Sequence, residues 1–390
     1  MNDPIDRLIE RYRDIVHSPE NRRRRGLWED PHRWNRDMWR GVPVPRSQSD
    51  PVPFTIELDN SLWSRVLGFS LAEYYRDPDL FLEIQLRKRI FSFENFDDDA
   101  YYSDELFIWF GVITELSILG APIQWFPHKE GWISGALLED PAGLDRMEPP
   151  DFRAGGLMPR VHRYYERLSD LSRGRLRVMF PQWVRGPFCL AMHLRGVSEI
   201  LVDMMILPDF FHRLMRFVTD SRLAWDRDRE LFLGEKSGPG KLYNDEIDCP
   251  TLSPELYRDM IFPYEKELGE AYGGISYWHS CGNTTAFQEQ IARLPNLELY
   301  HCGPWTDFGS ALKTMNPATA VDLCLDPQRD VVEASPEEMR RRLEEILRTG
   351  GGGRYSVRAD AFMPTGPNHG IILEKIGLWN KEARRVLSGR

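Results

Sequence analysis

A histidine and a cysteine separated by one residue, His279 and Cys281, are the side chains of this chain with the clearest capacity for chemistry. They lie in residues 277–283, where Gly282 and Asn283 follow the pair in a way that suits a turn out of a strand. Positions i and i+2 of a strand share a face, so an imidazole nitrogen and a thiolate sulfur can reach one metal ion. The same spacing also fits a protein core that holds one buried polar residue and one small apolar residue.

Short apolar runs that alternate with helix-period stretches would position this pair. The apolar runs include residues 176–180, 274–278, 297–300 and 320–323. Amphipathic stretches between them include residues 208–234 and 253–271. Alternation of this kind is typical of repeated strand–crossover–helix units and predicts an α/β fold with a parallel sheet. In barrels built from such units, catalytic residues lie at the strand ends.

One helix can be predicted almost residue by residue. Ser335 is the expected N-cap of a helix over residues 336–348, with Pro336 at the first helical position and Glu338 three residues after the cap. Its apolar stripe is Met339, Leu343, Ile346 and Leu347. Glycines 350–353 then end the helix. Because this glycine run follows a helix and precedes no Lys-Ser/Thr pair, it does not predict a phosphate-binding loop.

The last predicted strand, residues 354–360, carries its polar side chains on one face. Arg354, Ser356, Arg358 and Asp360 alternate with apolar residues. In a barrel whose outer face is covered by helices, this polar face would look into the barrel mouth. In an edge strand it would face water, and periodicity alone does not separate these two interpretations.

Composition and charge narrow the class of protein. The chain of 390 residues carries a net charge of -10, which argues against binding nucleic acid through a basic surface. Mean hydropathy is -0.47, and we find no apolar run of about 18 residues that could span a membrane. Five scattered cysteines without a secretory signal before them favour reduced thiols and a cytoplasmic location.

The chain divides into an arm and one large domain. Residues 4–17 place apolar side chains at helical spacing, and the Pro-rich residues 43–53 separate them from the remainder of the chain. We therefore expect an N-terminal helical arm over residues 1–50 and a single domain over residues 51–390. Arginines 22–25 are interpreted as a solvated helix end, since no apolar stretch comes after them as an export signal would require.

Several short motifs occur in the order seen in the uroporphyrinogen decarboxylase superfamily, and the resemblance covers roughly residues 50–385. They are Gly186-Pro187-Phe188, Leu194-Arg195-Gly196, Leu207-Pro208, Asp245-Glu246, Leu252-Ser253-Pro254-Glu255, Pro263-Tyr264, His279-Ser280-Cys281-Gly282-Asn283, Leu325-Asp326-Pro327 and the final strand led by Gly352-Gly353. The resemblance implies a (β/α)8 TIM barrel, following an N-terminal helical extension, with its site at the C-terminal mouth of the strands. His-x-Cys-Gly is the most specific element and resembles the zinc-dependent methyltransferases that pass methyl groups to or from corrinoid proteins.

That branch implies a zinc site with His279, Cys281 and a third ligand, normally a cysteine, near the end of the final strand. The matching position here is Asp360. A carboxylate oxygen is an accepted zinc ligand, so a His/Cys/Asp site with one open position is chemically sound. It leaves the metal a harder Lewis acid, which suits oxygen-bearing ligands better than thiols. Cys302 and Cys324 also fall near strand ends as reserve candidates, although each also fits a small buried residue.

Other charged side chains could complete the site. Asp245 and Glu246 follow a predicted strand end at residues 242–244 and could act as the base, or they could be loop acids or a helix N-terminal charge. Arg185 and Arg358 could bind a substrate carboxylate, although an arginine in a barrel is as often paired structurally. The 12 tryptophans would suit a pocket for a flat ring, such as a methoxylated aromatic or a pterin, but an ordinary large core is the preferred interpretation.

The resulting hypothesis is a cytoplasmic methyltransferase that uses zinc, a small-molecule methyl donor or acceptor, and a corrinoid supplied by the substrate or by a partner corrinoid protein. It involves neither nucleic acid nor membrane. One alternative is a decarboxylase of a porphyrinogen or another carboxylated substrate. Residues 51–57 lack the Arg-containing motif that the decarboxylases carry in this region. A second alternative is a catalytically silent member that binds a ligand or a partner.

Overall fold

The computed structural model describes residues 4–29, 41–366 and 368–389, and eight parallel strands form its centre. The eight strands are β1 (Phe54–Leu58), β2 (Glu105–Phe107), β5 (Arg177–Met179), β6 (Gly240–Tyr243), β7 (Ile275–His279), β8 (Leu299–Cys302), β9 (Ala320–Leu325) and β10 (Tyr355–Phe362). Two short strands, β3 (Ile123–Gln124) and β4 (Trp132–Ile133), form a separate antiparallel pair. The predicted (β/α)8 barrel is confirmed.

The strands follow one another around the barrel. Six of them pair in the order β1-β10-β9-β8-β7-β6, and β2 pairs with β5. A parallel bridge between Arg185 and Tyr243 joins the chain after β5 to β6. Between β1 and β2, the backbone N–H of Ile56 donates to the Asp98 carboxylate at 2.9 Å, and Asp99 N–H donates to the Phe54 carbonyl at 2.8 Å. One side-chain bond and one backbone bond thus connect β1 to the segment before β2, where ladder pairing is interrupted.

Helices surround the strands and take up most of the remaining described chain. They are α1 (Pro4–Val16), α2 (Pro19–Arg25), α3 (Asn60–Val66), α4 (Leu71–Tyr74), α5 (Pro78–Asn95), α6 (Thr114–Ile118), α7 (Met158–Ser172), α8 (Pro187–Arg195), α9 (Val197–Ile206), α10 (Pro208–Leu233), α11 (Pro254–Leu256), α12 (Phe262–Ala271), α13 (Gln288–Ile291), α14 (Phe308–Thr314), α15 (Pro336–Gly350) and α16 (Gly370–Leu387). None of these helices combines the length and the apolar character that crossing a bilayer requires, within the residues described.

The helix predicted from Ser335 onward forms as expected. The Ser335 hydroxyl accepts a hydrogen bond from the Glu338 backbone N–H, and the Glu338 carboxylate accepts one from the Ser335 backbone N–H. Met339, Leu343 and Ile346 are buried on α15. Gly351 ends the helix with a φ of 49°, a left-handed conformation that glycine adopts without steric cost. The amphipathic stretch predicted at residues 253–271 is less regular. A π-helical turn at Tyr257–Ile261 separates α11 from α12.

The N-terminal helices are fastened to the barrel. Ile9, Tyr12 and Ile15 of α1 are buried, and the Tyr12 hydroxyl donates to the Ser103 carbonyl at 2.7 Å. Arg24 is only 3% exposed and lies 3.1 Å from the Asp98 carboxylate, so the expectation that arginines 22–25 are all solvated is wrong for this residue. The division of the chain at residue 50 stays a prediction.

The strands have two different faces. Their outer face packs against the helices in one large apolar core that includes Trp278, Tyr300 and Val357. Part of the inner face forms a smaller cluster of Val184, Tyr243, Tyr277, Leu299 and Ala320. Residues of the same inner face that come after this cluster, toward the carboxyl ends of the strands, therefore point into the barrel mouth.

Candidate metal centre

Asp245, His279 and Cys281 converge at the carboxyl ends of β6 and β7. His279 Nε2 lies 2.9 Å from Asp245 Oδ1 and 3.3 Å from Cys281 Sγ, and the cysteine sulfur lies 3.3 Å from the same aspartate oxygen. One possible ligand atom from each residue lies within 4.8 Å of the others. One nitrogen, one sulfur and one oxygen donor fit the three-ligand set of a catalytic zinc ion, which keeps a fourth position open.

The pairing of β6 with β7 explains why these residues meet. Tyr243 and His279 are partners in the parallel register, and the Asn244 N–H donates to the His279 carbonyl at 2.7 Å, which places Asp245 beside the imidazole. The turn after β7 also needs Gly282. A Cβ atom at this position would lie 2.2 Å from Cβ of Asp248, closer than side chains can approach. The small residue thus lets the Cys281 turn pack against the turn after Asp245.

The charges of the cluster influence one another. Burial alone would raise the pKa of Asp245, but the hydrogen bond and charge of His279, together with Arg185, bring it below the usual value. The pKa of the Cys281 thiol is raised, first by burial and then by the Asp245 carboxylate. A bound cation would instead lower the pKa of the Cys281 thiol, because a thiol that coordinates a metal ion is deprotonated. The cluster therefore places one ionised carboxylate beside a thiol that a bound metal ion would deprotonate.

The third-ligand candidates from the sequence occupy different places. Asp360, at the mouth end of β10, forms an ion pair with Arg358 and lines the same cavity as the triad. Cys324 lies on β9, where its thiol is 3.6 Å from the Leu325 carbonyl oxygen. Cys302 belongs to the helix-facing core, with its sulfur 3.7 Å from the Thr306 carbonyl oxygen. Asp245, predicted as a base, is thus the acid that the structure brings to the His279–Cys281 pair.

Glu246 lies one residue beyond the triad and is held by two side chains. Arg185 Nη2 lies 2.6 Å from its carboxylate, and His193 Nε2 lies 2.5 Å from the same oxygen. Burial alone would raise the pKa of Glu246, but the His193 hydrogen bond and the Arg185 charge lower it on balance. Glu246, one of the two residues predicted as a base, is therefore an ionised carboxylate whose oxygen already contacts Arg185 and His193. His193 lies on α8 between two of the motifs named above but belongs to neither of them, so sequence reasoning alone does not single it out.

The two arginines predicted to bind substrate are both paired with acids of the chain. Arg185 is 1% exposed and lies 3.8 Å from Asp245 in addition to its contact with Glu246. Arg358 is fully buried and contacts Asp322 at 2.7 Å as well as Asp360. The sequence left open whether these arginines bind a substrate carboxylate or pair with acids of the chain. In the structure, both guanidinium groups pair with acids of the chain.

Three further polar side chains lie on the inner barrel face around His279. The Tyr277 hydroxyl is 3.2 Å from His279 Nδ1, and Asp322 lies 2.9 Å from that hydroxyl. The His301 ring centroid is 4.1 Å from that of His279, and its Nδ1 donates to the Ser280 carbonyl at 2.6 Å. The sequence carries a weak signal for them, since Asp322 and His301 each interrupt an apolar strand. Strand pairing across the barrel is needed to bring them together.

A cavity of about 380 Å³ borders the triad. Five tryptophan and tyrosine side chains contribute to its wall, namely Trp63, Tyr102, Trp109, Trp132 and Tyr243. A cavity of this size is typical of a small-molecule site. Because several rings face the same space, the wall suits a flat apolar ligand.

Acids outnumber cations among the charged residues that line this cavity. Five carboxylate residues line it, namely Glu57, Asp59, Glu130, Asp245 and Asp360, against the two cations Lys88 and Arg89. Lys88 Nζ donates to Asn60 Oδ1 at 2.7 Å, and Asn60 in turn donates to Glu130 at 2.7 Å. An excess of acidic groups disfavours a ligand with many negative charges, and it favours a bound cation.

Comparison with known proteins agrees with this architecture. A methyltransferase from Methanosarcina mazei has a similar fold, with a TM-score of 0.61 and 13% sequence identity over 88% of this chain and 95% of that chain. No curated protein sequence matches the chain. Residues 58–358 match the family model described as uroporphyrinogen decarboxylase (URO-D). This match spans most of the barrel and includes the strands that carry Asp245, His279 and Cys281, and the chain therefore belongs to the uroporphyrinogen decarboxylase family.

Proposed function

We propose that this protein is a zinc-dependent methyltransferase that moves a methyl group to or from a corrinoid. The observation that carries the proposal is the convergence of His279, Cys281 and Asp245 at the edge of a cavity of about 380 Å³. Three protein donors with a fourth position open are the arrangement of catalytic rather than structural zinc sites. Membership of a family that includes both decarboxylases and zinc-dependent methyltransferases supports the same assignment.

In this proposal His279, Cys281 and Asp245 hold the ion, and the neighbouring groups hold the three ligands. When bound, zinc would supply Lewis acidity, either polarising an oxygen of the methyl donor or lowering the pKa of a bound nucleophile. His279, and after it the charge of Arg185, lower the pKa of Asp245, and Arg185 is itself held by Glu246. An oxygen ligand in place of a second thiolate leaves the ion harder, which favours an ether or hydroxyl oxygen at the open position.

The cavity accommodates the small partner of the methyl transfer. Its volume suits a molecule of drug-like size, whereas a whole corrinoid with its side chains is larger. The corrinoid would therefore approach from the barrel mouth, carried by a partner protein or free in solution. The rings of Trp63, Trp109 and Trp132 favour a flat methylated compound, such as a methoxylated aromatic or a pterin, over a short aliphatic thiol.

Visible spectroscopy tests this function directly. Zinc-loaded protein is incubated with methylcobalamin, or with cob(I)alamin and a methylated donor, while the bands of the cobalt–carbon bond are followed. Methoxylated aromatics, methyltetrahydrofolate and small thiols are supplied in separate reactions. We expect a zinc-dependent spectral change with at least one compound, and none with the Cys281→Ser variant. Zinc-loaded protein that stays spectrally inert with every compound would contradict the proposal.

Decarboxylation is the second candidate, because the family model that matches residues 58–358 bears that name. The cavity wall opposes it, since five acidic groups face two cations where a substrate with many carboxylates would bind. Both inner arginines, Arg185 and Arg358, are also paired with acids of the chain. Release of carbon dioxide from a carboxylated substrate without cobalamin would favour this candidate over methyl transfer.

A further inference from the structure

The two ring nitrogens of His279 have different surroundings. Nε2 faces the other two members of the triad, with Asp245 Oδ1 at 2.9 Å and Cys281 Sγ at 3.3 Å. Nδ1 points the other way and lies 3.2 Å from the Tyr277 hydroxyl oxygen. Only Nε2 is therefore directed at the position that a metal ion would take.

The Tyr277 hydroxyl is in turn fixed by a buried ion pair. Its oxygen lies 2.9 Å from Asp322 Oδ2, and Arg358 Nη2 lies 2.7 Å from the same carboxylate oxygen. Tyr277 is 2% exposed, Asp322 is 3% exposed, and Arg358 is fully buried. Water therefore has little access to this chain of contacts, and the three groups must satisfy one another.

The donor and acceptor roles along this chain of contacts are set by elementary chemistry. A guanidinium group only donates, and an ionised carboxylate only accepts, so Asp322 must accept the Tyr277 hydroxyl hydrogen. The tyrosine oxygen then presents a lone pair to His279 Nδ1, and this nitrogen must carry a hydrogen to complete the bond. A weaker approach of Arg358 Nη2 to the same oxygen, at 3.4 Å, is also that of a donor.

We infer that Tyr277 and Asp322 are positioning residues that hold His279 ready to bind a metal ion through Nε2. With one hydrogen fixed on Nδ1, Nε2 is the nitrogen that can give its lone pair to a metal ion, once the hydrogen that it shares with Asp245 in the metal-free protein is released. The ring cannot rotate without breaking the bond to Tyr277. Groups that orient a ligating histidine in this way typically contribute about 10–100-fold to metal affinity. The inference rests on the proposed function only in taking zinc as the ion bound.

The Tyr277→Phe and Asp322→Asn variants test this role, with Tyr300→Phe as the matched control. Tyr300 lies on the neighbouring strand β8 and is fully buried, but its hydroxyl contacts Thr284 Oγ1 at 2.5 Å and belongs to the helix-facing core. Zinc dissociation constants are measured by competition with a chelator. We expect both test variants to bind zinc about 10–100-fold more weakly than wild type, and the control to bind it unchanged.

A second measurement needs no metal. Nitrogen-15 NMR of histidine-labelled, metal-free protein reports whether Nδ1 of His279 carries a hydrogen, and we expect that it does in wild type. The inference is overturned if Tyr277→Phe retains wild-type zinc affinity, if Tyr300→Phe weakens zinc binding equally, or if Nδ1 is found unprotonated. Wild-type protein that binds no zinc would refute the proposed function, whereas an unprotonated Nδ1 would by itself overturn the role of Tyr277.

Discussion

Two carboxylates compete for the role of third zinc ligand, and single substitutions distinguish them. Asp245 lies 2.9 Å from His279 Nε2, whereas Asp360 is held by Arg358 at the end of β10. If Asp245 is the ligand, Asp245→Ala removes one of three protein donors. Asp360→Ala removes a partner of Arg358, which keeps its contact with Asp322 at 2.7 Å.

The size of the difference can be worked out from typical zinc energetics. The binding free energy of zinc at structural sites with four ligands is about 10–16 kcal/mol, or roughly 3 kcal/mol per ligand. Since about 1.4 kcal/mol corresponds to a factor of ten, loss of one ligand should weaken zinc binding by roughly two orders of magnitude. We expect this loss for Asp245→Ala. For Asp360→Ala we expect less than about a tenfold change, below the roughly 10–100-fold typical of a group that orients a ligand, because Asp360 forms its ion pair with Arg358, which is not a member of the triad.

Competition with a chromophoric chelator measures both constants, and circular dichroism verifies that each variant is folded. Asp360→Cys adds information, because it restores the residue type that the resembling methyltransferases carry at this position. If Asp360→Ala loses zinc as strongly as His279→Ala while Asp245→Ala retains it, our choice of Asp245 is refuted. The prediction made from the final strand, with Asp360 as the ligand, would then be the correct one.

Three further predictions concern the site and its support. Purified wild-type protein should carry about one zinc ion per chain, and His279→Ala or Cys281→Ser should lose most of it in elemental analysis. Gly282→Ala should weaken zinc binding as well, because its Cβ would lie 2.2 Å from Cβ of Asp248, whereas Gly351→Ala, where an added Cβ meets no atom within 4 Å, should alter stability but not zinc content. Burial raises the pKa of Glu265 to about 7, so the native state binds a proton more tightly than the unfolded chain and stability falls as pH rises from about 4.5 to 7. Glu265→Gln should reduce this loss, by up to about 3 kcal/mol in urea unfolding compared at pH 5 and pH 8, and an unchanged pH dependence would contradict the burial argument.

Much of the fold could be predicted from the sequence because its signals are local. The capping box of α15 depends on Ser335 and Glu338 alone, and the alternation of apolar runs with amphipathic stretches is enough to predict a parallel α/β sheet. His279 and Cys281 are identifiable for the same reason, because two residues on one strand face need no knowledge of the rest of the fold. Residues 30–40, which belong to the predicted arm, lie outside the residues that the structure describes.

The partners of the His279–Cys281 pair could not be predicted in the same way, because they come from other strands. Asp245 reaches the pair only through the register in which Tyr243 lies opposite His279. Asp322 reaches Tyr277 across the barrel interior, from a strand two places away in the sheet order. Sequence spacing contains neither relation, so the acids could be recognised as candidates but could not be given roles.

The position of Arg358 bears on why Asp360 and Asp245 have different roles in the proposed site. Arg358 and Asp360 are two residues apart on β10 and share its inner face, so the guanidinium group meets the carboxylate directly. A thiol at position 360 would be a weaker partner for this buried cation than a carboxylate is. Asp245 is differently placed, since Arg185 lies 3.8 Å away and gives its closer contact, 2.6 Å, to Glu246. In the proposed site, the acid on the last strand therefore belongs to the inner ion-pair network, and the acid after β6 is the one that we assign to the metal.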